Sequence, residues 1–321
     1  MFSYYFILKK NEKSAKIIKI MKFIYERKTL TKSIPLMALM AAINVIISEL
    51  AALSIVASIF LILILPLTSA IVELCCKDRY FPIYAVATFG LSIGLTFWNL
   101  DTTIFYVLPS IITGYIFGLL AKHKTPTVWV IISATLAQMG ITYALIPLIN
   151  FIFQVDIILT FKAAFGLANR PSIDIIIPTF IFMISLIQVS LSEMVVSLEL
   201  ERFGIKENNV KTSNLIATAS GFLFSLLIIL FYFVDLRFAY LALSIGLYFT
   251  IFTIVNTVVE KNYYRLIPCG IVILANIFLF AFLSQYLKEA SQILLLGFSS
   301  AFICLISIVF SFLKKKKEKI Q

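Results

Sequence analysis

Residues 34 to 76 read IPLMALMAAINVIISELAALSIVASIFLILILPLTSAIVELCC, a nearly unbroken apolar run. A helix needs about 20 mostly apolar residues to cross the hydrocarbon core of a bilayer. A run of this length therefore forms either one very long helix or two spans joined by a hairpin. The choice sets the side of the membrane on which every later loop lies, so this stretch decides the fold.

The composition of the whole chain is that of a membrane protein. Hydrophobic residues make up 61% of the 321 residues and charged residues 13%, and the mean hydropathy is +1.02. A water-soluble domain carries far more charge, and here apolar stretches follow one another almost without interruption. Because a segment in lipid must satisfy its own backbone hydrogen bonds, we predict an all-α polytopic integral membrane protein.

Hydropathy predicts ten transmembrane helices separated by short polar turns. They cover residues 34–50, 53–74, 82–99, 102–121, 126–153, 172–200, 213–235, 237–258, 265–286 and 290–313. In this assignment the opening run forms two helices.

The distribution of positive charge favours two helices in that run. With ten spans and a cytoplasmic N-terminus, 23 of the 27 Lys and Arg residues fall in cytoplasmic segments, as the positive-inside rule predicts. Merging the first two spans would invert every later loop and destroy this asymmetry. We therefore predict a multi-pass protein of the cell membrane with cytoplasmic N- and C-termini. The same topology places Glu49 near an outer hairpin turn, which spares the cost of burying its charge.

The first 33 residues are basic and organised differently. Their lysines recur at three-residue spacing beside apolar positions, at Lys13, Lys16, Lys19 and Lys22. This pattern predicts an interfacial helix on anionic lipid. The alternative is that translation begins at Met21, which would leave Lys13, Lys16 and Lys19 out of the protein. The formal net charge of +11 comes from clusters between apolar runs and from no nucleic-acid-binding fold, so no nucleic-acid partner is expected.

A polar turn interrupts the apolar pattern at residues 97–103, which read FWNLDTT. The predicted topology places this turn outside, where it has two interpretations. In the first, Trp98 belongs to an interfacial aromatic belt and Asp101 is the N-cap of the fourth helix. In the second, Trp98 offers a stacking face, while Asn99 and Asp101 offer hydrogen bonds to a polar ligand at an outer mouth.

Two more outer segments could border that mouth, namely the hairpin near Glu49 and residues 155–171. Arg170 could bind a ligand carboxylate through its forked guanidinium, although an Arg just outside a helix more often reaches for lipid headgroups. The candidate substrate-binding residues are therefore Glu49, Trp98, Asn99, Asp101 and Arg170.

Pairs of small residues four positions apart mark helix faces that allow two backbones to approach closely. Two such pairs form GLSIG at residues 90–94 and GYIFG at residues 114–118, and we expect both to pack inside the protein. The first helix carries the same spacing at Ala38 and Ala42.

The sequence contains no pattern typical of an enzyme. Its single histidine, His123, lies in a basic turn, and the chain has no HExxH motif, no GxSxG motif and no P-loop. Its four cysteines show no metal-ligand spacing. We therefore expect neither catalysis nor a metal or cofactor, and the energy for any uphill transport would come from a gradient or a partner.

The first six helices resemble the substrate-binding S component of energy-coupling factor (ECF) transporters. The resemblance rests on a basic start, a first helix reading KSIPLMALMAAINVIIS, an outer hairpin, a Pro-containing second helix and Gly-rich helices around FWNLDTT. In that family, six helices hold a small vitamin-like substrate near the outer face, and an AxxxA pair on the first helix docks onto the T subunit. The resemblance implies that Ala38 and Ala42 dock onto a T subunit, which works with its ATPases.

The whole chain is similar to the YybS-like family of bacterial membrane proteins, whose N-terminal half is S-component-like. This resemblance covers residues 30–313 and includes the long sixth helix that runs into LELERFGIKENN. It implies four regions: a basic N-terminal segment at 1–33, an S-component-like six-helix domain at 34–212, an additional four-helix membrane region at 213–313 and a basic cytoplasmic tail at 314–321.

Two hypotheses of function follow. The first is a membrane-embedded subunit that captures a small vitamin-like molecule for an ECF-type transporter. The alternative is a membrane scaffold or regulatory protein that keeps the same fold without transporting anything.

Overall fold

The structure, a computed structural model, describes residues 29–53, 55–164, 173–202, 211–260, 263–283, 286 and 289–320. These residues are almost entirely helical, with 94% helix and no strand. Long apolar runs favour this outcome because a helix satisfies its backbone hydrogen bonds within one segment. The predicted all-α class is confirmed for the described residues.

Eleven α-helices and two short 3-10 segments make up this part of the chain. The α-helices are α1 (Leu30–Leu53), α2 (Ile55–Cys75), α3 (Phe81–Leu95), α4 (Leu100–Lys122), α5 (Thr127–Phe153), α6 (Ile157–Ala164), α7 (Ile173–Arg202), α8 (Lys211–Val234), α9 (Leu236–Val259), α10 (Tyr263–Leu283) and α11 (Glu289–Ile320). The 3-10 segments are Asp78–Tyr80 and Phe97–Asn99.

The apolar run at residues 34–76 forms two helices, as the charge distribution predicts. α1 ends at Leu53 and α2 begins at Ile55, and the two helices pack against each other. Glu49 lies on the last turns of α1, since this helix continues for four residues beyond it and α2 begins two residues after α1 ends. That position is near the junction of the two helices.

Eight helices are long and apolar enough to cross a membrane: α1, α4, α5, α7, α8, α9, α10 and α11. α3 is shorter than predicted, because it ends at Leu95 after 15 residues. α2 is 21 residues long. α11 is longer than predicted, since it continues through the terminal lysines to Ile320. The described residues thus form an all-α fold with eight helices of transmembrane character.

The chain divides into two compact units. The first contains the chain up to Phe161 together with the part of α7 from Ile184, and the second contains Lys162–Met183 and the helices from α8 onward.

In the first unit, the buried side chains form two clusters that share α2 and α4. One cluster joins α1, α2, α3 and α4 through Leu36, Ala41, Val72, Tyr84 and Val107. The other joins α2 and α4 to α5 and α7 through Ala70, Phe117, Val130, Ala134 and Val189. α2 and α4 therefore form the centre of this unit.

In the second unit, α8, α9 and α11 pack closely around small residues. A Cβ atom added at Gly221 would lie 2.9 Å from both Phe249 Cβ and Cys304 Sγ. Hydroxyl groups bridge the same three helices, since Ser300 Oγ lies 2.8 Å from Ser225 Oγ and 2.6 Å from Thr250 Oγ1. Small residues let the backbones approach, and the short hydroxyls then reach across the contact.

Candidate functional site

The FWNLDTT turn is held together from its buried side. α3 ends at Leu95, the 3-10 segment Phe97–Asn99 follows, and α4 starts at Leu100. The hydroxyl groups of Thr96 and Thr103 form a hydrogen bond, and both residues are almost completely buried. Thr96 Oγ1 also lies 2.6 Å from the carbonyl oxygen of Ser92. Part of the polar content of this turn is thus structural.

Trp98 lies on the opposite, open side of the turn. Its side chain is 57% exposed, and its ring meets the ring of Phe97 edge-on at a centroid distance of 5.1 Å. Asn99 lies in the 3-10 segment and Asp101 in the first turn of α4, while their side chains lie outside the part that the structure describes. Because α4 begins at Leu100, Asp101 is inside the helix and is not its N-cap, so the capping interpretation was wrong.

The other candidate residues for the outer mouth have different surroundings. Glu49 is half-buried on α1, and its buried Oε2 atom has no hydrogen-bond partner in the part of the chain that the structure describes. Arg170 lies outside the described residues.

The polar residues at the start of the 155–171 segment form local contacts. Asp156 Oδ1 accepts a hydrogen bond from the backbone nitrogen of Leu159 at 3.0 Å and so caps α6. Asn150 Oδ1 accepts one from the backbone nitrogen of Ile157 at 3.1 Å. Lys162 pairs with Asp174 on α7, with Nζ and Oδ1 2.5 Å apart. These contacts reduce the set of groups at this end that a ligand could use.

A buried polar network links α1, α2 and α3, and sequence reasoning missed it. Thr68 Oγ1 accepts hydrogen bonds from Asn44 Nδ2 at 2.8 Å and from the Tyr84 hydroxyl at 3.2 Å. Ser69 Oγ lies 3.3 Å from the same tyrosine hydroxyl. Asn44, Thr68 and Ser69 lie in the opening apolar run and Tyr84 lies in the next one. The only signal in the sequence is that these runs contain polar residues.

Amide side chains bridge three further helices. Gln138 Nε2 donates to Gln188 Oε1 at 2.7 Å, and Gln138 Oε1 accepts from Thr113 Oγ1 at 3.3 Å. These bonds join α5 to α7 and α4, the usual use of amides inside membrane proteins.

An ionic cluster lies where α2 and α4 both end. It was not predicted from the sequence either. Lys122 Nζ is 2.6 Å from Glu73 Oε1 and 2.5 Å from Asp78 Oδ1. The Glu73 side chain is completely buried, while that of Asp78 is 56% exposed. The hydrogen bond from Lys122 holds the pKa of Asp78 below its ordinary value. The acid–base pairing could not be read from the sequence, because 49 positions separate Glu73 from Lys122.

The small-residue pairs fall into two groups. Within GYIFG, a Cβ atom added at Gly114 would lie 2.2 Å from the carbonyl oxygen of Pro66, so this face packs against α2 as predicted. Within GLSIG, a Cβ atom added at Gly90 or Gly94 would meet no atom of the described residues within 4 Å. The expectation that both glycine pairs pack inside the protein was therefore wrong for α3.

Ala38 and Ala42 are both exposed on α1. The opposite face of the same helix is buried, through Leu36, Met37 and Ala41. The AxxxA pair is therefore on the surface of the first unit.

The polar contacts among the described residues hold helices and turns together. The described residues contain no group of three or more His, Cys, Asp or Glu side chains that could hold a metal ion. The class that fold and contacts define is an all-α protein with helices of transmembrane character and polar groups at the helix ends. No family model, curated protein or solved structure matches this chain.

Proposed function

We propose that this chain is a multi-pass protein of the cell membrane with ten transmembrane helices and cytoplasmic termini. The proposal counts α2 and α3 as spans because their inclusion leaves 23 of the 27 Lys and Arg residues in cytoplasmic segments. α3 and the 3-10 segment after it cover residues 81–99, which is within the range of about 17 to 25 residues used by spanning helices.

In this membrane the chain acts as an S-component-like, substrate-binding subunit of an ECF-type transporter. It captures a small vitamin-like molecule at an outer mouth that includes Trp98, and it docks through α1 onto a T subunit that works with ATPases. The similarity to the YybS-like family belongs to the same proposal.

The observation that carries this proposal is the exposure of Ala38 and Ala42. Apolar side chains gain little by moving from lipid to a protein neighbour, so helices in a membrane associate where small residues let the backbones come close. An exposed small-residue face offers such a contact to another transmembrane helix. The same pair would have no role in docking if it were packed against α2 or α3.

A scaffold or regulatory role on the same fold is the second candidate. It is favoured by the FWNLDTT turn, in which Thr96 and Thr103 bond to each other, and by the pairing of Lys162 with Asp174. Each contact uses for structure polar groups that would otherwise be available to a ligand. A scaffold protein would retain no small molecule after purification.

The docking role is tested by Ala38→Leu combined with Ala42→Leu. Leucine side chains at both positions should block close approach, so we expect the double variant to lose co-purification with a co-expressed T subunit of the same organism. Because both positions are exposed, the added side chains meet no packed neighbour, and the melting temperature in detergent should stay close to that of the unchanged protein.

The matched control is Ala275→Leu, which adds the same bulk at an exposed position of α10 and should leave co-purification intact. Normal co-purification of the double variant would contradict the docking role. A clearly lower melting temperature would show instead that the pair is packed inside, where overpacking costs about 1 to 3 kcal/mol.

A further inference from the structure

The contact between α2 and α4 is unusually close at the end where the ionic cluster lies. A Cβ atom added at Gly118 would lie 2.6 Å from Glu73 Cβ and 2.8 Å from the carbonyl oxygen of Ala70. Glycine at this position therefore lets the α4 backbone cover the stem of Glu73. The carboxylate is left completely buried, where an unpaired charge is costly.

Lys122 meets this carboxylate and two further oxygen atoms. Its ammonium group donates to Glu73 Oε1 at 2.6 Å, to Asp78 Oδ1 at 2.5 Å and to the carbonyl oxygen of Cys76 at 3.3 Å. An ammonium group has three N–H donors, so all three are used. The other oxygen of the carboxylate, Glu73 Oε2, is buried and has no hydrogen-bond partner among the described residues.

The three acceptors lie at the end of α2 and in the turn that follows it. Glu73 is on the last turn of α2, the Cys76 carbonyl follows the last residue of that helix, and Asp78 begins the 3-10 segment that leads to α3. Lys122 is the last residue of α4. One side chain thus fastens the end of α4 to the end of α2 and to the turn that follows.

We propose that Lys122 is an ionic latch that closes this end of the first unit. With its ammonium group in place, the Glu73 carboxylate and the Cys76 side chain are sealed from water. When the ammonium group is absent, the buried carboxyl group has no counter-charge, and at an alkaline pH that keeps it ionised it draws water into the end of the α2–α4 contact. The latch is independent of the transport role proposed above, because it concerns contacts within one unit.

Cys76 supplies a native reporter, since its residue surface is only 6% exposed. We would replace the other cysteines by Cys75→Ser, Cys269→Ala and Cys304→Ala, and measure the rate at which a maleimide labels Cys76 in detergent. Lys122→Met, which keeps the apolar stem and removes the charge, should raise this rate by about tenfold or more, the factor that about 1.4 kcal/mol produces. The matched control Lys124→Met, an exposed lysine two positions away, should leave the rate unchanged.

A second variant separates the latch from simple loss of packing. In Glu73→Gln combined with Lys122→Met, no buried charge remains to draw in water, so Cys76 should be labelled more slowly than in Lys122→Met alone. An equal rate in these two variants, or a wild-type rate in Lys122→Met, would overturn the latch. Lys122→Met could unfold because of its uncompensated charge and so fail to be purified. In that case the latch requires that the double variant be recovered as folded, monodisperse protein. Failure to recover either variant would contradict the latch.

Discussion

At the scale of single residues, the FWNLDTT turn contains both a buried residue that holds the turn together and an exposed aromatic residue. Thr103 is buried and bonds to Thr96, whereas the Trp98 ring is open to its surroundings. The sequence indicated that this turn is special but could not assign these roles, because burial depends on how α3 and α4 approach each other.

Trp98→Ala tests whether the exposed ring binds a ligand. If a small molecule is retained by the purified protein, the loss of an aromatic stacking face should weaken retention by about tenfold, equivalent to about 1.4 kcal/mol. Mass spectrometry of molecules released from equal amounts of protein measures this change. Phe151→Ala, which removes another strongly exposed aromatic ring, is the control and should have no effect. Equal retention by the unchanged protein, Trp98→Ala and Phe151→Ala would show that Trp98 does not bind the ligand and is an interfacial residue.

At the scale of helices, two sequence motifs with the same spacing have opposite environments. GYIFG on α4 packs against α2, whereas GLSIG on α3 faces open space. Spacing alone predicts that a helix has a face suited to close approach. Which helices approach that face is decided by the arrangement of all the neighbours.

Alanine substitutions should reveal this difference directly. Gly114→Ala places a methyl group where the Pro66 carbonyl oxygen and Ser69 Cβ lie within 2.5 Å, so we expect a loss of about 1 to 3 kcal/mol through overpacking. The methyl group of Gly90→Ala meets no described atom within 4 Å. This variant should leave stability unchanged or slightly improved, because alanine favours a helix over glycine. Thermal melting of the two variants in the same detergent makes the comparison. A Gly90→Ala protein that melts as early as Gly114→Ala would contradict the assigned faces.

At the scale of the whole molecule, the number of spans depends on α2 and α3. Eight described helices meet the length and hydropathy expected of a span, and adding α2 and α3 preserves an even number and the asymmetry of positive charge. Omission of only one of them would invert all later loops. The topology therefore rests on a property of the entire chain and not on any single helix.

Cysteine labelling on intact cells tests this topology. In a background without native cysteines, a membrane-impermeant maleimide should react with Thr102→Cys and Lys288→Cys but not with Lys206→Cys. Permeabilised cells, in which all three positions should react, are the control. Labelling of Lys206→Cys from outside would overturn the ten-helix topology.

The sequence by itself determined that the chain is helical, and it located ten of the eleven described α-helices to within a few residues at most ends. This was possible because a long apolar run in lipid must form its backbone hydrogen bonds within itself, and only a helix does so. The local composition therefore shows where each helix lies. Only the tertiary structure decided that Ala38 and Gly90 face outward, that Gly114 packs inward and that Lys122 reaches Glu73. These are choices of helix face and partner, and their energies come from packing and charge pairing between residues far apart in the chain.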